Sequence, residues 1–437
     1  MIQYAKSLIE RVKSSILARN SVWMFMGYGV RIFVQAGYFV LIARALGPHE
    51  YGAFVGATAL ISIVAPFAGV GSGNLLVKNV SRDKSLFAIY WGNALFMLGV
   101  SGLVLLGIVV LVAHLVLPAA ISLLLVVVIC LSDLIGARIT DIAAQAFQAM
   151  EQLAYTANFS LLPYLLRMIS AAIVFALWHH ATAMIWGWFY LGSTAVSCII
   201  AVSITTWKLG APKPCLSRIP PELREGFYFG AGLSAQTIYN DIDKTMLASL
   251  STLDATGIYA AAYRVIDVSF TPVKSVLYAA YSNFFRSGAR GIAPSYAYAK
   301  KLLPRTIAYS ILAFAGLYVF APLFPLIIGK EFARTVEALR WLALLPLLKT
   351  VHYFLADAMT GAGYQGIRAA AQVSVALTNV GLNLWLIPRY SWRGAAWSSI
   401  ACDGLLAVSL YVALRIVLRR SQRETGQKRN EAYALAD

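Results

Sequence analysis

The fold is decided by the stretch Thr237-Ile-Tyr-Asn-Asp-Ile-Asp-Lys-Thr-Met-Leu-Ala-Ser-Leu250. Asp241, Asp243 and Lys244 lie inside this helix-length segment, which carries no other charge. Ionisable side chains at membrane depth are costly, so they are rare and usually face a protein interior or a water-filled cavity. The rest of the chain therefore has to indicate whether this segment spans a membrane and what its charges face.

The composition is that of a membrane protein. Of the 437 residues, 59% are hydrophobic and 13% are charged, whereas a soluble domain carries about 25% charged residues. Since roughly 20 apolar residues span a bilayer as a helix, the apolar runs predict an all-α polytopic membrane protein with about 12 transmembrane helices. Their expected positions are 22–43, 52–76, 87–113, 118–139, 157–178, 182–206, 227–250, 256–283, 304–328, 336–360, 367–388 and 394–418. Prolines at 163, 272 and 346 predict kinks.

A proline-rich connector at 207–226 divides these helices into two sets of six. We expect an N-terminal lobe over 22–206 and a C-terminal lobe over 227–418, with the connector as a cytoplasmic linker and hinge. Residues 1–21 have the pattern of an amphipathic helix that lies on the membrane surface. Residues 419–437 read as a basic cytoplasmic tail.

A weak internal repeat supports two related lobes. Arg44-Ala-Leu-Gly-Pro-His-Glu-Tyr-Gly-Ala-Phe54 has a counterpart in Ser249-Leu-Ser-Thr-Leu-Asp-Ala-Thr-Gly-Ile-Tyr259, which aligns Gly52 with Gly257. Six helices per half give both copies the same orientation, so a pseudo-two-fold axis is expected along the membrane normal. Transporters built from such repeats bind substrate near the repeat interface at the bilayer midplane, so a central cavity is expected.

Charge in the loops predicts the orientation. Most of the 36 Lys and Arg residues fall in the segments that face one side. The predicted outer segments hold few of them, namely Arg44, Lys330, Arg334, Arg389 and Arg393. By the positive-inside rule both termini are cytoplasmic. This distribution also accounts for most of the formal charge of +17 without any nucleic acid as a partner.

The sequence lacks the common signatures of catalysis and cofactor binding. It contains no G-x-x-x-x-G-K-[ST] loop, no G-x-S-x-G elbow and no His/Cys cluster with metal-ligand spacing. We therefore predict a protein that is not an enzyme, with no catalytic residue, no metal and no cofactor. A proton or sodium gradient remains open as an energy source.

Intramembrane cations are the candidate substrate-binding residues. Arg31 and Lys274 each lie nine residues from a predicted cytoplasmic helix end, hence roughly 14 Å above the inner face. Two cations at one level suit an anionic headgroup, because arginine offers bidentate phosphate geometry. Lys244, Arg264 and Lys349 join this set. The alternative is that each cation snorkels to the membrane surface or forms an ion pair with a single acid.

Buried acids and one histidine are candidates for ion or proton coupling. They are Asp241, Asp243, Asp267, His352 and Asp357. His352 shares a helix face with Lys349 and titrates in the range where a proton gradient acts. The alternative for the acids is structural: an Asp243–Arg264 or Asp241–Lys244 ion pair that only holds helices together.

Three stretches carry a resemblance to a known family. Ala45-Leu-Gly-Pro-His-Glu-Tyr-Gly-Ala-Phe54, Asn240-Asp-Ile-Asp-Lys-Thr-Met-Leu247 and Thr256-Gly-Ile-Tyr-Ala-Ala-Ala-Tyr-Arg264 resemble the polysaccharide-transporter (Wzx-type) branch of the MOP flippase superfamily. Gly69–Ser81 is similar to the end of the second helix in that branch. Asp243, Lys244 and Arg264 match its motif residue by residue. Arg31 matches only in kind, as a cation in the first helix.

The resemblance implies a function and a location. It implies a flippase of the bacterial inner membrane that moves undecaprenyl-diphosphate-linked oligosaccharides from the cytoplasmic to the periplasmic leaflet by alternating access, with two six-helix lobes around a cationic cavity. The product would serve O-antigen (lipopolysaccharide), capsule or exopolysaccharide biosynthesis. Partners would be the lipid-linked substrate, membrane lipids, and the polymerase and chain-length proteins of the same pathway.

Two further interpretations stay open. One is a lipid II flippase or a multidrug exporter of the same superfamily, although an exporter of cationic drugs would prefer an acidic cavity. The other, from a different class, is a membrane-bound glycan polymerase or acyltransferase. Such an enzyme would need a catalytic loop or domain at the outer face, and the predicted outer loops are short.

Overall fold

A computed structural model describes residues 16–178, 180–219, 223 and 241–434, and these residues are helical or lie in short connections. The side chains of 16–29, 32, 218, 282 and 423–434 lie outside the description. The chain forms two compact units, Met1–Ser249 and Leu250–Asp437. Nine segments in the described residues are long and apolar enough to cross a membrane. The prediction of an all-helical polytopic membrane protein is thereby confirmed.

The first unit contains seven described α-helices. In chain order they are α1 (Ile16–Val64), α2 (Ser72–Val80), α3 (Phe87–Val116), α4 (Leu123–Cys130), α5 (Ala137–Ala149), α6 (Leu153–Leu177) and α7 (Ala183–Leu209). Helix α1 consists of two helical segments that meet at a kink, because Gly47 has a φ of 67° and a ψ of 177°. A π-helix, Leu131–Gly136, joins α4 to α5. Residues 241–249 are also helical. The predicted seventh span, 227–250, otherwise lies outside the described residues, as does most of the predicted surface helix 1–21.

The second unit contains another seven α-helices. They are α8 (Leu253–Gly288), α9 (Ile292–Phe320), α10 (Phe324–Ile328), α11 (Thr335–Leu342), α12 (Leu345–Gly361), α13 (Gln365–Tyr390) and α14 (Trp392–Ala434). The buried aromatic side chains Phe270, Phe284 and Phe354 form the centre of one core cluster between α8 and α12. The helix α14 continues through most of the predicted tail 419–437.

Two predicted spans in the first unit need correction. The expected helix 52–76 ends at Val64 and resumes at Ser72, because Gly69, Val70 and Gly71 all have positive φ, which an α-helix cannot contain. The expected helix 118–139 begins later, at Leu123, and continues to Ala149 through the π-helix. A π-turn inserts one extra residue without ending the helix, and such turns are frequent at functional sites.

Two predicted spans in the second unit also differ from the structure. The expected helix 336–360 is two helices, α11 and α12, because Pro346 lies in the first turn of α12, a position where proline starts a helix. The expected helix 304–328 begins earlier, at Ile292, and breaks after Phe320. Pro163 and Pro272, by contrast, lie inside continuous helices.

Helix α8 carries three of the candidate residues selected from the sequence. It has 36 residues and begins at the N-cap Thr252, whose hydroxyl accepts a hydrogen bond from the Ala255 amide. Despite this length it is not among the nine segments that qualify as candidate spans. Its sequence includes Arg264, Asp267 and Lys274, so it is too polar by composition.

Candidate functional site

The first unit holds a buried charge cluster at the π-helix. The Asp133 carboxylate oxygen Oδ1 accepts a hydrogen bond from the Tyr190 hydroxyl at 2.8 Å and one from Arg167 at 3.3 Å. The Arg167 guanidinium lies over the Tyr190 ring, 4.0 Å from its centroid, and also donates to the Thr194 hydroxyl. Ser132 donates to Thr194 at 2.9 Å. The cluster therefore joins the π-helix to α6 and α7.

Arg31 on α1 is held by an aromatic neighbour rather than by an acid. Its guanidinium donates to the Tyr164 hydroxyl at 2.5 Å and lies 4.3 Å from the centre of the same ring. Among the residues that the structure describes, Arg31 has no salt-bridge partner. Tyr164 thus orients the cation, and no acid among the described residues lies close enough to form an ion pair with it.

Lys244 is paired within its own helix. Its ammonium group forms an ion pair with Asp241, three residues earlier. Asp243 is 4% exposed and its carboxylate accepts the backbone N–H of Lys244. The Asp241–Lys244 pair considered from the sequence is therefore present. It lies along one helix, so it does not hold two helices together.

Three charged residues in the middle of α8 differ in pairing. Lys274 lies 3.8 Å from Asp267, and about half of its side chain is exposed. Arg264 is partly buried. Within the described part of the chain Arg264 has neither a hydrogen bond nor an ion pair. The Lys274–Asp267 distance is long for a charge-assisted hydrogen bond, so this pair is weak.

Helix α12 buries three ionisable residues that the sequence singled out. Lys349 donates to the Tyr263 hydroxyl at 2.6 Å, and its ammonium group lies 4.7 Å from the centre of that ring. Lys349 is 5% exposed. In the described residues no acid pairs with it. Asp357, nearer the end of α12, pairs with Arg368 of α13 at 3.6 Å.

His352 meets an acid from another helix. Its Nε2 lies 3.2 Å from Oδ1 of Asp403 on α14, and each side chain is 4% exposed. The two atoms are close but are not aligned for a hydrogen bond. The imidazole stacks on Tyr353, with ring centres 4.9 Å apart. The pair therefore joins α12 to α14 through two buried ionisable side chains.

Three of these residues are not among the candidates selected from the sequence. Asp133, Arg167 and Asp403 are ionisable residues inside predicted spans, which is itself a signal of function. Their partners are distant in sequence, however: Arg167 follows Asp133 by 34 residues and Asp403 follows His352 by 51. Spacing along one helix cannot reveal such pairs.

The first part of the predicted linker is docked on α3. The Lys213 amide donates to the Ala88 carbonyl at 2.8 Å, and the Cys215 amide donates to the Asn93 side chain at 2.7 Å. Gly92 allows this approach, because a Cβ there would lie 2.5 Å from the Pro214 nitrogen. We call residues 211–215 the strap. These contacts hold the strap against α3.

Comparison with known proteins shows the family and the fold of the chain. The model of the family described as polysaccharide biosynthesis protein matches residues 17–281. No curated protein sequence matches the chain.

Solved structures match nearly the whole chain. An inward-facing multidrug resistance MATE family transporter of the MOP superfamily aligns over 90% of this chain and 96% of its own, with TM-score 0.72 at 15% identity. The lipid II flippase MurJ, in an inward closed conformation, aligns over 92% and 88%, with TM-score 0.70 at 13% identity. A MOP superfamily transporter from Pyrococcus furiosus, described with a binding pocket of reverse polarity, aligns over 92% and 95%, with TM-score 0.60 at 16% identity. The fold is that of MOP superfamily transporters.

Proposed function

The chain belongs to the polysaccharide biosynthesis protein family, and from this we infer that it is a flippase for lipid-linked oligosaccharides. Its substrate is an oligosaccharide repeat unit on undecaprenyl diphosphate. The protein moves this unit from the cytoplasmic to the periplasmic leaflet of the bacterial inner membrane, and the product enters polysaccharide biosynthesis.

One observation carries the proposal: three cations of the candidate set have no acidic partner among the described residues. The three cations are Arg31, Arg264 and Lys349. Arg31 donates a hydrogen bond to the Tyr164 hydroxyl, and Lys349 donates one to the Tyr263 hydroxyl. An uncompensated charge inside a membrane protein is costly. An anionic ligand would remove that cost, and a diphosphate carries the charge and the acceptor oxygens that these side chains bind.

The acids of the candidate set behave differently. Asp241 pairs with Lys244, Asp267 with Lys274, and Asp357 with Arg368. Three of the four candidate acids are thus paired with a base, while several bases have no acidic partner among the described residues, which supports an anionic rather than a cationic substrate. Lys244 and Lys274 complete the proposed binding set as bases that exchange an acid for substrate phosphate.

The chemistry of the substrate fits alternating access. A polar headgroup cannot cross dry hydrocarbon, while its lipid tail can remain in the bilayer. A protein that exposes a cationic site to one side and then to the other resolves this conflict. His352, with Asp403, is the proposed proton carrier, and Asp241, Asp243, Asp267 and Asp357 are the other candidates for proton or sodium coupling.

Location and partners belong to the same proposal. The loop charges predict that both termini lie in the cytoplasm, where the lipid-linked unit is assembled. Membrane lipids surround the protein, and the polymerase and chain-length proteins of the pathway would receive the translocated unit at the other face.

A proteoliposome assay tests the proposal. Purified protein is reconstituted with undecaprenyl diphosphate that carries a fluorescent sugar, and a membrane-impermeant reagent quenches the outer leaflet. Flipping is measured as the rate at which protected probe becomes quenched. We expect Arg264→Ala and Lys349→Met each to slow this rate at least about tenfold, the factor that corresponds to one charge-assisted hydrogen bond.

The matched control is Arg340→Ala. Arg340 is an exposed arginine that contacts the Tyr318 carbonyl and ring and is not in the proposed site. Its variant should flip the probe at the wild-type rate. Equal rates in wild type and in both site variants would contradict the proposal.

The same assay distinguishes two other possible substrates. A lipid II flippase would move the muramyl-pentapeptide lipid in preference to the oligosaccharide lipid. A multidrug exporter would move a lipophilic cation and leave both lipids in place. The fold is compatible with either, but the excess of uncompensated bases favours an anionic lipid.

A further inference from the structure

The exposed face of α8 differs chemically from the exposed faces of other long helices. Helix α3 exposes aliphatic side chains such as Leu103 and Leu111, as expected for contact with lipid tails. Helix α8 also exposes the aliphatic Val268 and Val276, but one side of it presents Lys274, Tyr278 and Tyr281. A charged side chain on a surface that contacts hydrocarbon is costly. This face of α8 is therefore better suited to a polar phase than to lipid tails.

Five of the exposed or partly exposed residues of α8 form one continuous stripe. Asp267, Lys274, Tyr278, Tyr281 and Phe285 follow each other at intervals of seven, four, three and four residues, so they lie on one side of the helix. We call these five residues the α8 stripe. At 1.5 Å per residue it is about 27 Å long. Its first half is charged and its second half is aromatic.

The charged half is open to a ligand. The Lys274 ammonium group lies 3.8 Å from Asp267 and 5.7 Å from the centre of the Phe270 ring. The two charged side chains are 50% and 39% exposed. An ammonium group has three donors, and this loose pair leaves donors of Lys274 for an anionic group.

The aromatic half is also available. Tyr278 is 87% exposed and Tyr281 is 45% exposed. The Tyr281 ring meets Phe285 edge-on, with ring centres 5.1 Å apart, which fixes its orientation. In the described part of the chain neither tyrosine hydroxyl has a hydrogen-bond partner. Tyrosine supplies a large, rigid, amphipathic contact at low conformational cost.

We propose that Tyr278 and Tyr281 bind the first sugar ring of the substrate, with the adjoining phosphate at Lys274. A sugar ring has an apolar C–H face and a hydroxyl rim. The C–H face suits the electron-rich face of an aromatic ring, and the rim suits the free tyrosine hydroxyls. Tyr278 lies four residues, or about 6 Å, along the helix from Lys274, which matches a sugar directly attached to a phosphate. This assignment rests on the proposed flippase function.

A binding experiment with two short-chain probes tests the assignment. The probes are farnesyl diphosphate and farnesyl diphosphate that carries one N-acetylglucosamine, and their dissociation constants are measured on the full-length protein in nanodiscs. Wild type should bind the sugar-bearing probe about tenfold more tightly, the effect expected of a well-placed aromatic contact. The double variant Tyr278→Ala/Tyr281→Ala should lose this preference and keep its affinity for the bare diphosphate.

Two further variants separate ring contact from folding. Tyr278→Phe/Tyr281→Phe keeps both ring faces and should keep most of the preference. Val276→Ala changes an exposed residue elsewhere on α8 and should behave like wild type. An equal preference in wild type and the double alanine variant, or no preference in wild type, overturns the tyrosine assignment and leaves the flippase proposal standing. If wild type binds neither probe, both proposals fall.

Discussion

The Arg167 guanidinium lies 3.3 Å from the Asp133 carboxylate, and their side chains are only 12% and 23% exposed. Asp133 lies in the π-helix and Arg167 in α6. The ion pair therefore connects two helical segments of the first unit, and the Tyr190 hydroxyl supports it from α7. A buried pair of this kind is sensitive to the loss of one partner, because the remaining charge is left without compensation.

The first prediction concerns this pair. Arg167→Leu should destabilise the protein by about 3 kcal/mol, because it leaves Asp133 charged, buried and unpaired. The double variant Asp133→Leu/Arg167→Leu should recover most of the loss. Thermal unfolding of the purified protein in detergent measures both effects.

Arg138→Ala is the control for this prediction. Arg138 pairs with Asp141 at 3.4 Å, but both side chains are much more exposed. An exposed pair of this type contributes roughly 0.5 kcal/mol, so the variant should unfold close to wild type. Equal thermal stability of Arg167→Leu and Arg138→Ala would contradict this prediction.

The second prediction concerns proton coupling at His352. Flipping by wild type should slow when an ionophore collapses the proton gradient, because His352, with Asp403 3.2 Å away, is the proposed proton carrier. His352→Gln should flip slowly with or without the gradient. The proteoliposome rate, measured with and without nigericin, gives both results.

His114→Gln serves as the matched histidine control. His114 is an exposed residue of α3, and its variant should respond to the ionophore as wild type does. A wild-type rate that is the same before and after collapse of the gradient would remove the proton role of His352 and of the acids.

The third prediction tests whether Lys244 binds substrate or only stabilises its own helix. The exchange Asp241→Lys/Lys244→Asp keeps an ion pair but moves the cation by about 4.5 Å along the helix. If Lys244 binds substrate, as we propose, the melting temperature should stay near wild type while the flipping rate falls. A wild-type flipping rate would mean that the pair only supports the helix.

The fourth prediction concerns the strap. Gly92→Val should release residues 211–215 from α3, since even a Cβ would lie 2.5 Å from the Pro214 nitrogen. We expect faster protease cleavage in the strap and loss of amide protection at Lys213 and Cys215. Hydrogen exchange followed by mass spectrometry measures the second effect.

Gly99→Val is the control for the strap, because nothing lies within 4 Å of a Cβ at Gly99 on the same helix. It should leave exchange in the strap unchanged. Unchanged exchange in Gly92→Val would show that the strap is held by other contacts.

Much of the fold was predictable because it depends on local composition. The apolar runs correctly indicated an all-helical polytopic protein, and the motifs around Gly52, Lys244 and Arg264 indicated the family, which the family match confirms. The boundaries were less accurate. Several predicted spans missed breaks such as the turn at Val70 and the helix start at Pro346, because backbone conformation at such positions is set by packing as well as by residue type.

The candidate site was predictable only in part. Charges at membrane depth are conspicuous in any sequence, so Arg31, Lys349 and His352 were selected for a physical reason. The sequence did not show which of these charged side chains has an oppositely charged partner. Lys244 and Asp241 are three residues apart, and their pairing follows from helical periodicity. The assignments of function to these residues remain predictions.

The class of the protein, its family and the presence of costly charges within its spans follow from residue type and local spacing. The pairing of those charges follows instead from the three-dimensional packing of the helices. This packing brought Asp133 to Arg167, His352 to Asp403 and Lys349 to Tyr263. It also exposed the tyrosines of the α8 stripe. The physical reason is that neighbouring helices are selected by side-chain packing over the whole unit, and one helix's sequence does not specify which side chains of another it will meet.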